Sequence, residues 1–580
     1  MTERQKRLAW AAVVVAGATG ISRVVGVARE ILTANAFGVS VQLNTFASVA
    51  VIPNLIRQLV ADAAVSAAFV PVFTSLFSKG ERERAYKLAS SLLSFMVVVV
   101  GAATVVLMLA APLIVKVFFP QFAHQAYVSH LAVEMLRILL PTVLLFSVSG
   151  VVIGVLYSFE RFTMPAVVSI VWNLVIIAFI VAFSGPGKLG IYALVWGTFF
   201  GTVAQLLLLL PSLRRVDLRW RLSVDWRDPL LRRVLVLMVP VTITLGILNF
   251  NALVDFFFAQ FVSDHAAAQI NYAFRLYQLP QGMFAITIGT VLFPTLSRYA
   301  ADLDMTRFRE TLSLGVRQIF FVSLPFVAWF VVVPHSIVQL IYQHGHFTAV
   351  DTAAVAPILA FFTLGMAFAN VNVMFNRGFQ SLQRPWLPLY VGLVNLALNA
   401  LLDWALYPSL GARGIVLSTS IVSAFNFVAL LVLMRRQIEY VDGRRILVSL
   451  GKILVCSAAL ALVSLALWHG LRSFADGGLG ALTVVVVAVF GCGGLVYLGA
   501  AGCCASKSCR WWTCCCVAAG RCPRRLRRPR RCRENERGRG PSASVRPRWT
   551  PATSATSRSS PTSTTASRRW PTASSSSPAR

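Results

Sequence analysis

The first 455 residues of this 580-residue chain contain no cysteine, so no disulfide framework holds the body of the protein together. Charge is scarce too. Only 13% of residues are Asp, Glu, Lys or Arg, and the acidic ones number 22. That is too little charge for the surface of an ordinary soluble protein of this length. No glycine loop of the GxxxxGK[ST] type is present, which removes the usual phosphate cradle of an ATPase. No convincing catalytic triad is found, so neither enzymatic chemistry nor ATP hydrolysis is expected.

What the chain has in quantity is apolar sequence: 57% of residues are hydrophobic and the mean hydropathy is +0.71. Apolar stretches of about 20 residues recur, long enough to cross roughly 30 Å of hydrocarbon. Fourteen candidate spans run over 8–37, 43–77, 88–118, 131–157, 163–184, 189–211, 231–260, 269–297, 310–333, 352–379, 386–407, 413–434, 447–469 and 479–500. The predicted fold class is an all-α polytopic membrane protein. The basic start, Arg4-Gln5-Lys6-Arg7, precedes an apolar run as in a signal peptide. No convincing small-residue cleavage site follows it, and the run continues past Arg23, so it reads as span 1.

The loops test this count. With the N-terminus inside, the inside segments hold twenty-four basic residues and the outside loops three, Lys188, Arg413 and Arg472. Such a bias is the positive-inside pattern of a cytoplasmic N-terminus and an even number of spans. Most of the basic residues behind the net charge of +31 thus lie in short loops and the C-terminal region, not spread as a nucleic-acid-binding surface, and no nucleic-acid partner is expected.

An internal repeat is also present. Pro71, Ser158, Arg161 and Pro165 recur 223 residues later as Pro294, Ser381, Arg384 and Pro388. An offset of six spans preserves orientation, so spans 1–6 and 7–12 read as two six-helix lobes in parallel pseudo-repeat, with spans 13 and 14 as an addition. The expected division is 1–222, 223–440, 441–500 and 501–580. Two bundles around a shared midplane cavity is a transporter architecture.

After Gly499 the character changes abruptly. Eight of the ten cysteines lie between Cys503 and Cys532, followed by Arg/Pro and then Ser/Thr/Pro/Arg sequence. One reading is a disordered basic tail drawn to anionic lipid. The other, which the composition favours, is an out-of-frame product of GC-rich DNA. The cysteine spacing fits no standard zinc pattern and no histidine is near, so no metal role is assigned.

The remaining signal is charge inside the spans. Arg23, Arg29 and Glu30 lie in span 1, and Arg57 and Asp62 in span 2. A charge at the centre of a membrane helix costs roughly 2.5–3.5 kcal/mol on insertion scales, so several together imply a polar cavity. Seven residues is nearly two turns, which puts Arg23 and Glu30 on one face and Arg29 about a third of a turn away. Arg275, near the start of span 8, completes the cluster across a pseudo-symmetric cavity. Arginine's planar fork suits a phosphate, so the cargo is expected to be anionic. Arg137 and Arg317 read as interfacial or structural. In the second half, Asn251 with Asp255 and Asn399 with Asp403 are each one turn apart, and Thr419 and Ser420 add oxygens. This acidic set suits Na+ or a proton as coupling ion; a buried structural network is the alternative. His344-Gly345-His346 resembles a metal pair but has no further ligands nearby.

Several motifs resemble the MurJ/MviN family of lipid II flippases: Ser22-Arg23-Val24-Val25-Gly26-Val27-Ala28-Arg29-Glu30, Pro53-Asn54-Leu55-Ile56-Arg57, Ala68-Phe69-Val70-Pro71, Gly289-Thr290-Val291-Leu292-Phe293-Pro294, and Gln343-His344-Gly345-His346-Phe347-Thr348. The resemblance covers roughly residues 8–500. It implies the fold of the multidrug/oligosaccharidyl-lipid/polysaccharide exporter superfamily, with spans 13 and 14 framing a lipid groove. It implies a transporter, not an enzyme, that carries undecaprenyl-pyrophosphate-linked peptidoglycan precursor between leaflets of the bacterial cytoplasmic membrane by alternating access. Lipid II, membrane lipid and cell-wall synthesis or division proteins are the implied partners. Family cavity arginines fall on Arg23, Arg29, Arg57 and Arg275, with Glu30 and Asp62 as counter-ions. A family sodium site falls on Asp255, Asn399, Asp403 and Thr419. Two departures stand out: Asn44 takes the place of a cavity aspartate, and Phe274 that of an acidic residue. The rival readings are a flippase for another lipid-linked oligosaccharide, a drug or cation exporter, and a non-transporting cell-wall scaffold.

Overall fold

The computed structural model describes residues 3–59, 63–159, 161, 163–185, 187–214, 228–440, 442–475 and 478–505; Asp62 and the C-terminal segment from 506 lie outside the described residues. The described residues belong to one compact unit. The described residues are helical throughout, with no strand among them. Among the described residues ten helices, or eleven with the bent pair Ala349–Leu364 and Met366–Ser381, are long and apolar enough to cross a membrane. These are spans 3–6 and 8–14. Spans 1, 2 and 7 fall on Glu3–Phe37, on Val41–Arg57 with Ala63–Ser78, and on Pro229–Ala259; residues 60–62, within span 2, lie outside the described residues. Several helices exceed their apolar stretches because their first turns are polar, as with Arg82–Lys87 ahead of span 3 and Met305–Arg309 ahead of span 9.

The 223-residue repeat is visible in the helix limits. Ala63–Ser78 corresponds to Ile286–Ala301, and the broken pair Ala126–Leu139 and Pro141–Ser158 to Ala349–Leu364 and Met366–Ser381. The loop chemistry repeats as well. Ser158 Oγ donates to Gly154 O at 2.9 Å and Ser381 Oγ to Arg377 O at 2.9 Å. Beyond each, Arg161 N–H reaches Leu156 O and Arg384 N–H reaches Phe379 O, both at 2.9 Å. Two copies of one device close the two helices identically.

Local rules explain individual ends and bends. Ser40 caps span 2 by accepting from Leu43 N–H, and Thr348 with Asp351 forms a capping box at the start of span 10. Span 10 bends by 43° at Gly365. Ser420 presses on that glycine, and its hydroxyl donates to the carbonyls of Phe361 (2.8 Å) and Phe362 (3.2 Å) at the broken turn. Ser420 therefore serves the bend rather than the acidic set.

Spans 13 and 14 pack along each other and against span 9. Tyr497 donates to Phe321 O at 2.7 Å, and Trp329 meets Phe490 at 4.6 Å between ring centroids. Gly493 lets span 14 approach, since a Cβ there would stand 2.7 Å from Ser464 Oγ.

Candidate functional site

Span 1 places Arg23, Arg29 and Glu30 beside Arg275 of span 8. All four line one cavity of about 270 Å³, with Trp172 and Asn173 of span 5. Arg29 donates to Glu30, and its guanidinium lies 5.0 Å over the Trp172 ring. Arg275 Nε is 3.3 Å from the same Glu30 oxygen, an ion pair without hydrogen-bond alignment, so this N–H stays buried and unsatisfied. Glu30 is thus the shared counter-ion of two arginines. Arg23 makes no ion pair with a described residue. Three guanidiniums against one carboxylate leave the described lining net positive. Arg29 joins the others although it points elsewhere on the helical wheel, because its long side chain folds back onto Glu30.

The other expected members sit elsewhere. Arg57, at the end of the helix Val41–Arg57, lies 5.0 Å over the Phe146 ring of span 4 and does not line the cavity. Asn44 does not line it either. It is 1% exposed, and its Oδ1 accepts from Ala268 N–H at 3.1 Å in the first turn of Ala266–Pro280. Its amide satisfies an orphan helix donor of the other lobe, so it is a clasp rather than a counter-ion. Phe274 packs between Tyr277 and Phe362. Arg137 and Arg317 bond to backbone carbonyls of Met108 and Ser313.

The clasp has company. Gln260 bonds to Gln121 N–H and Phe118 O, both at 3.0 Å, and Gln125 donates to Asp264 at 2.8 Å. Tyr272 O–H reaches Gly38 O at 3.0 Å, and His346 N–H reaches Asn35 O at 2.9 Å. All of these join residues below 126 to residues above 259, at the end of the bundle away from the basic loops. His346 thus belongs to a contact between the two helical sets.

The acidic set does converge. Asn399 Nδ2 donates to Asp255 at 2.7 Å and to Asp403 at 3.1 Å, and Thr419 O–H reaches Asp255 at 3.3 Å. Ser418, missed in the sequence, donates to Asp403. It was legible as the neighbour of Thr419, whereas Ser420 lies some 200° round the helix from Ser418. Asp403 and Asn399 are buried. Two carboxylates bridged by one amide in a buried pocket repel each other, and a cation or a proton between them would offset that repulsion. Their oxygens, with two hydroxyls, suit Na+, and Asn251 Oδ1, one turn before Asp255, is buried without a hydrogen-bond partner.

Against this geometry the family profile described as "Lipid II flippase MurJ" matches residues 33–524. The chain belongs to the MurJ family. A MurJ described as a lipid II flippase, from Burkholderia cenocepacia, is 28% identical over 427 residues, covering 73% of this chain and 83% of its own. A probable MurJ from Synechocystis is 30% identical over 476 residues, covering 80% and 88%. Among solved structures, a MurJ in an inward closed conformation superposes with a TM-score of 0.73 at 23% identity, covering 85% of this chain and 99% of its own. An inward-facing multidrug MATE transporter of the MOP superfamily reaches 0.62 at 14% identity and covers 74% of this chain. The MurJ structure accounts for more of the chain than the MATE structure does.

Proposed function

We propose that this chain moves lipid II, the undecaprenyl-pyrophosphate-linked peptidoglycan precursor, from the cytoplasmic to the outer leaflet of the bacterial cytoplasmic membrane, its N-terminus in the cytoplasm. The observation that carries this reading is a cavity of three arginines and one glutamate inside a MurJ-family bundle. A pyrophosphate diester has about two negative charges and many acceptor oxygens, the complement of a net-positive lining with an unsatisfied Arg275 N–H. An acidic cavity, as a cation exporter would need, is not what these residues make.

The lobes spanning 1–222 and 223–440 rock about the cavity while the prenyl chain stays in lipid beside spans 13 and 14. An inside-negative potential favours outward movement of an anion by about 2.3 kcal/mol per charge per 100 mV. Release requires the arginines to regain other partners, and Glu30 is in place to take Arg29 and Arg275. The convergence of Asp255, Asn399, Asp403, Ser418 and Thr419 supports a second element, resetting by Na+ or a proton.

A flipping assay with lipid II in proteoliposomes tests the first part. Arg23→Ala and Arg275→Ala should each lose most of the activity at unchanged protein level. Full activity in both variants would remove the pyrophosphate site.

A further inference from the structure

The guanidinium of Arg23 lies on Gly282. A Cβ at that glycine would stand 1.8 Å from Arg23 Nη1 and 2.6 Å from Cζ. Gly282 sits in the π turn Gln281–Ala285, directly after Pro280, where span 8 is interrupted. Wide turns of this kind recur at functional positions in helices. Across the cavity edge the glycine offers bare backbone, and Arg23, which has no carboxylate partner among the described residues, rests there.

The repeat supplies an internal comparison. Adding 223 to position 23 gives 246, and subtracting it from 282 gives 59. Gly246 and Leu59 are also in contact: a Cβ at Gly246 would stand 2.6 Å from Leu59 Cδ2. Each copy therefore seats a side chain of one lobe on a glycine of the other, with the roles of the two helices exchanged. An apolar knob suffices for packing in one copy. In the other the knob is a cation that lines the cavity. Helix packing alone does not call for that charge.

We propose that Gly282 is a positioning residue for cargo capture, seating the Arg23 guanidinium so that it and Arg275 engage one pyrophosphate. This rests on reading the cavity as the head-group site of lipid II. A Cβ at Gly282 meets the far end of a flexible side chain rather than backbone. The substitution therefore moves Arg23 while leaving the fold in place, and misplacing a binding group by an ångström or more is enough to weaken function.

The test measures lipid II binding by the full-length purified protein in lipid nanodiscs. Gly282→Ala should accumulate and melt like the parent yet bind roughly tenfold more weakly. Lysine has a compact ammonium that does not need the notch, so in an Arg23→Lys background Gly282→Ala should change affinity by less than about twofold. Gly246→Ala, the counterpart in the repeat, should leave affinity unchanged. Equal weakening by Gly282→Ala in both backgrounds, or none in the parent, overturns the proposal. If Gly282→Ala fails to accumulate, adding Arg23→Met should restore it by removing the collision, and no recovery overturns the notch. Unchanged binding by Arg23→Ala would instead strike the head-group reading itself.

Discussion

Glu30→Gln isolates the counter-ion from the rest of the cavity. Glutamine keeps the size and an acceptor for Arg29 but removes the charge shared by Arg29 and Arg275. At 3.3 Å the Arg275–Glu30 pair attracts by roughly 5 kcal/mol at an effective dielectric of about 20. Arg275 is 39% exposed, so solvent screening reduces this by half or more, to about 2 kcal/mol. In the parent an incoming anion must compete with Glu30 for that interaction. In the variant it does not, and lipid II should bind roughly thirtyfold more tightly. The empty protein should be less stable, because two partly buried guanidiniums lose their carboxylate, and lipid II should raise its melting temperature more than it does for the parent. Flipping should slow, since release loses its competitor. Equilibrium binding, melting with and without lipid II, and single-turnover flipping read the three effects. A folded Glu30→Gln protein that binds lipid II no better than the parent would refute the counter-ion reasoning.

Three further outcomes follow from the geometry. Arg57→Ala should alter lipid II affinity less than threefold, because its guanidinium lies over Phe146 and outside the cavity lining; a loss matching Arg23→Ala would return it to the binding set. Asn44→Ala leaves the Ala268 N–H without its acceptor and should cost about 1 kcal/mol, seen as a lower melting temperature with lipid II affinity nearly unchanged; an unchanged melting temperature counts against the clasp. Asp403→Asn should keep lipid II binding but lose the dependence of flipping on Na+ or on pH, and a variant retaining that dependence in full would discard the acidic set as the coupling site.

Much of this is legible in the amino-acid sequence. Apolar length located the helices, because a membrane helix satisfies its own backbone and needs only side chains compatible with lipid. The repeat was legible from four residues because proline and a serine that bonds to its own helix mark the same breaks in both halves. Charge inside a span announced Arg23, Glu30 and Arg275, since nothing else tolerates such a burden in hydrocarbon. Arg57 and Asn44 were less tractable. Position along a span gives depth, but whether a side chain faces the cavity, a neighbouring ring or the other lobe depends on how helices rotate against each other. Trp172 and Asn173 were silent for the same reason. Gly282 is the clearest case: a glycine in a membrane helix is unremarkable until a guanidinium from another lobe is found resting on it.

The two charged clusters, so different in sign, are joined by one short stretch of chain. Asp255 lies near the end of span 7 and Arg275 near the start of span 8, twenty residues apart. Between them Gln260, Asp264, Ala268 and Tyr272 carry five hydrogen bonds to the other helical set. At about 0.5–1.5 kcal/mol net for each, these bonds hold that end closed by a few kcal/mol. That is the scale of moving one charge through 100 mV, about 2.3 kcal/mol. A cation drawn between Asp255 and Asp403 would act on span 7 against spans 11 and 12, and it could shift the lobes only by its difference in affinity between their two arrangements. These polar contacts are individually weak, and buried apolar side chains of both sets, among them Leu43, Ala266 and Phe347, pack with them. On the proposed mechanism, a segment with the acidic set at one end, Arg275 at the other and contacts between lobes along its middle would give both ligands a direct hold on the same equilibrium.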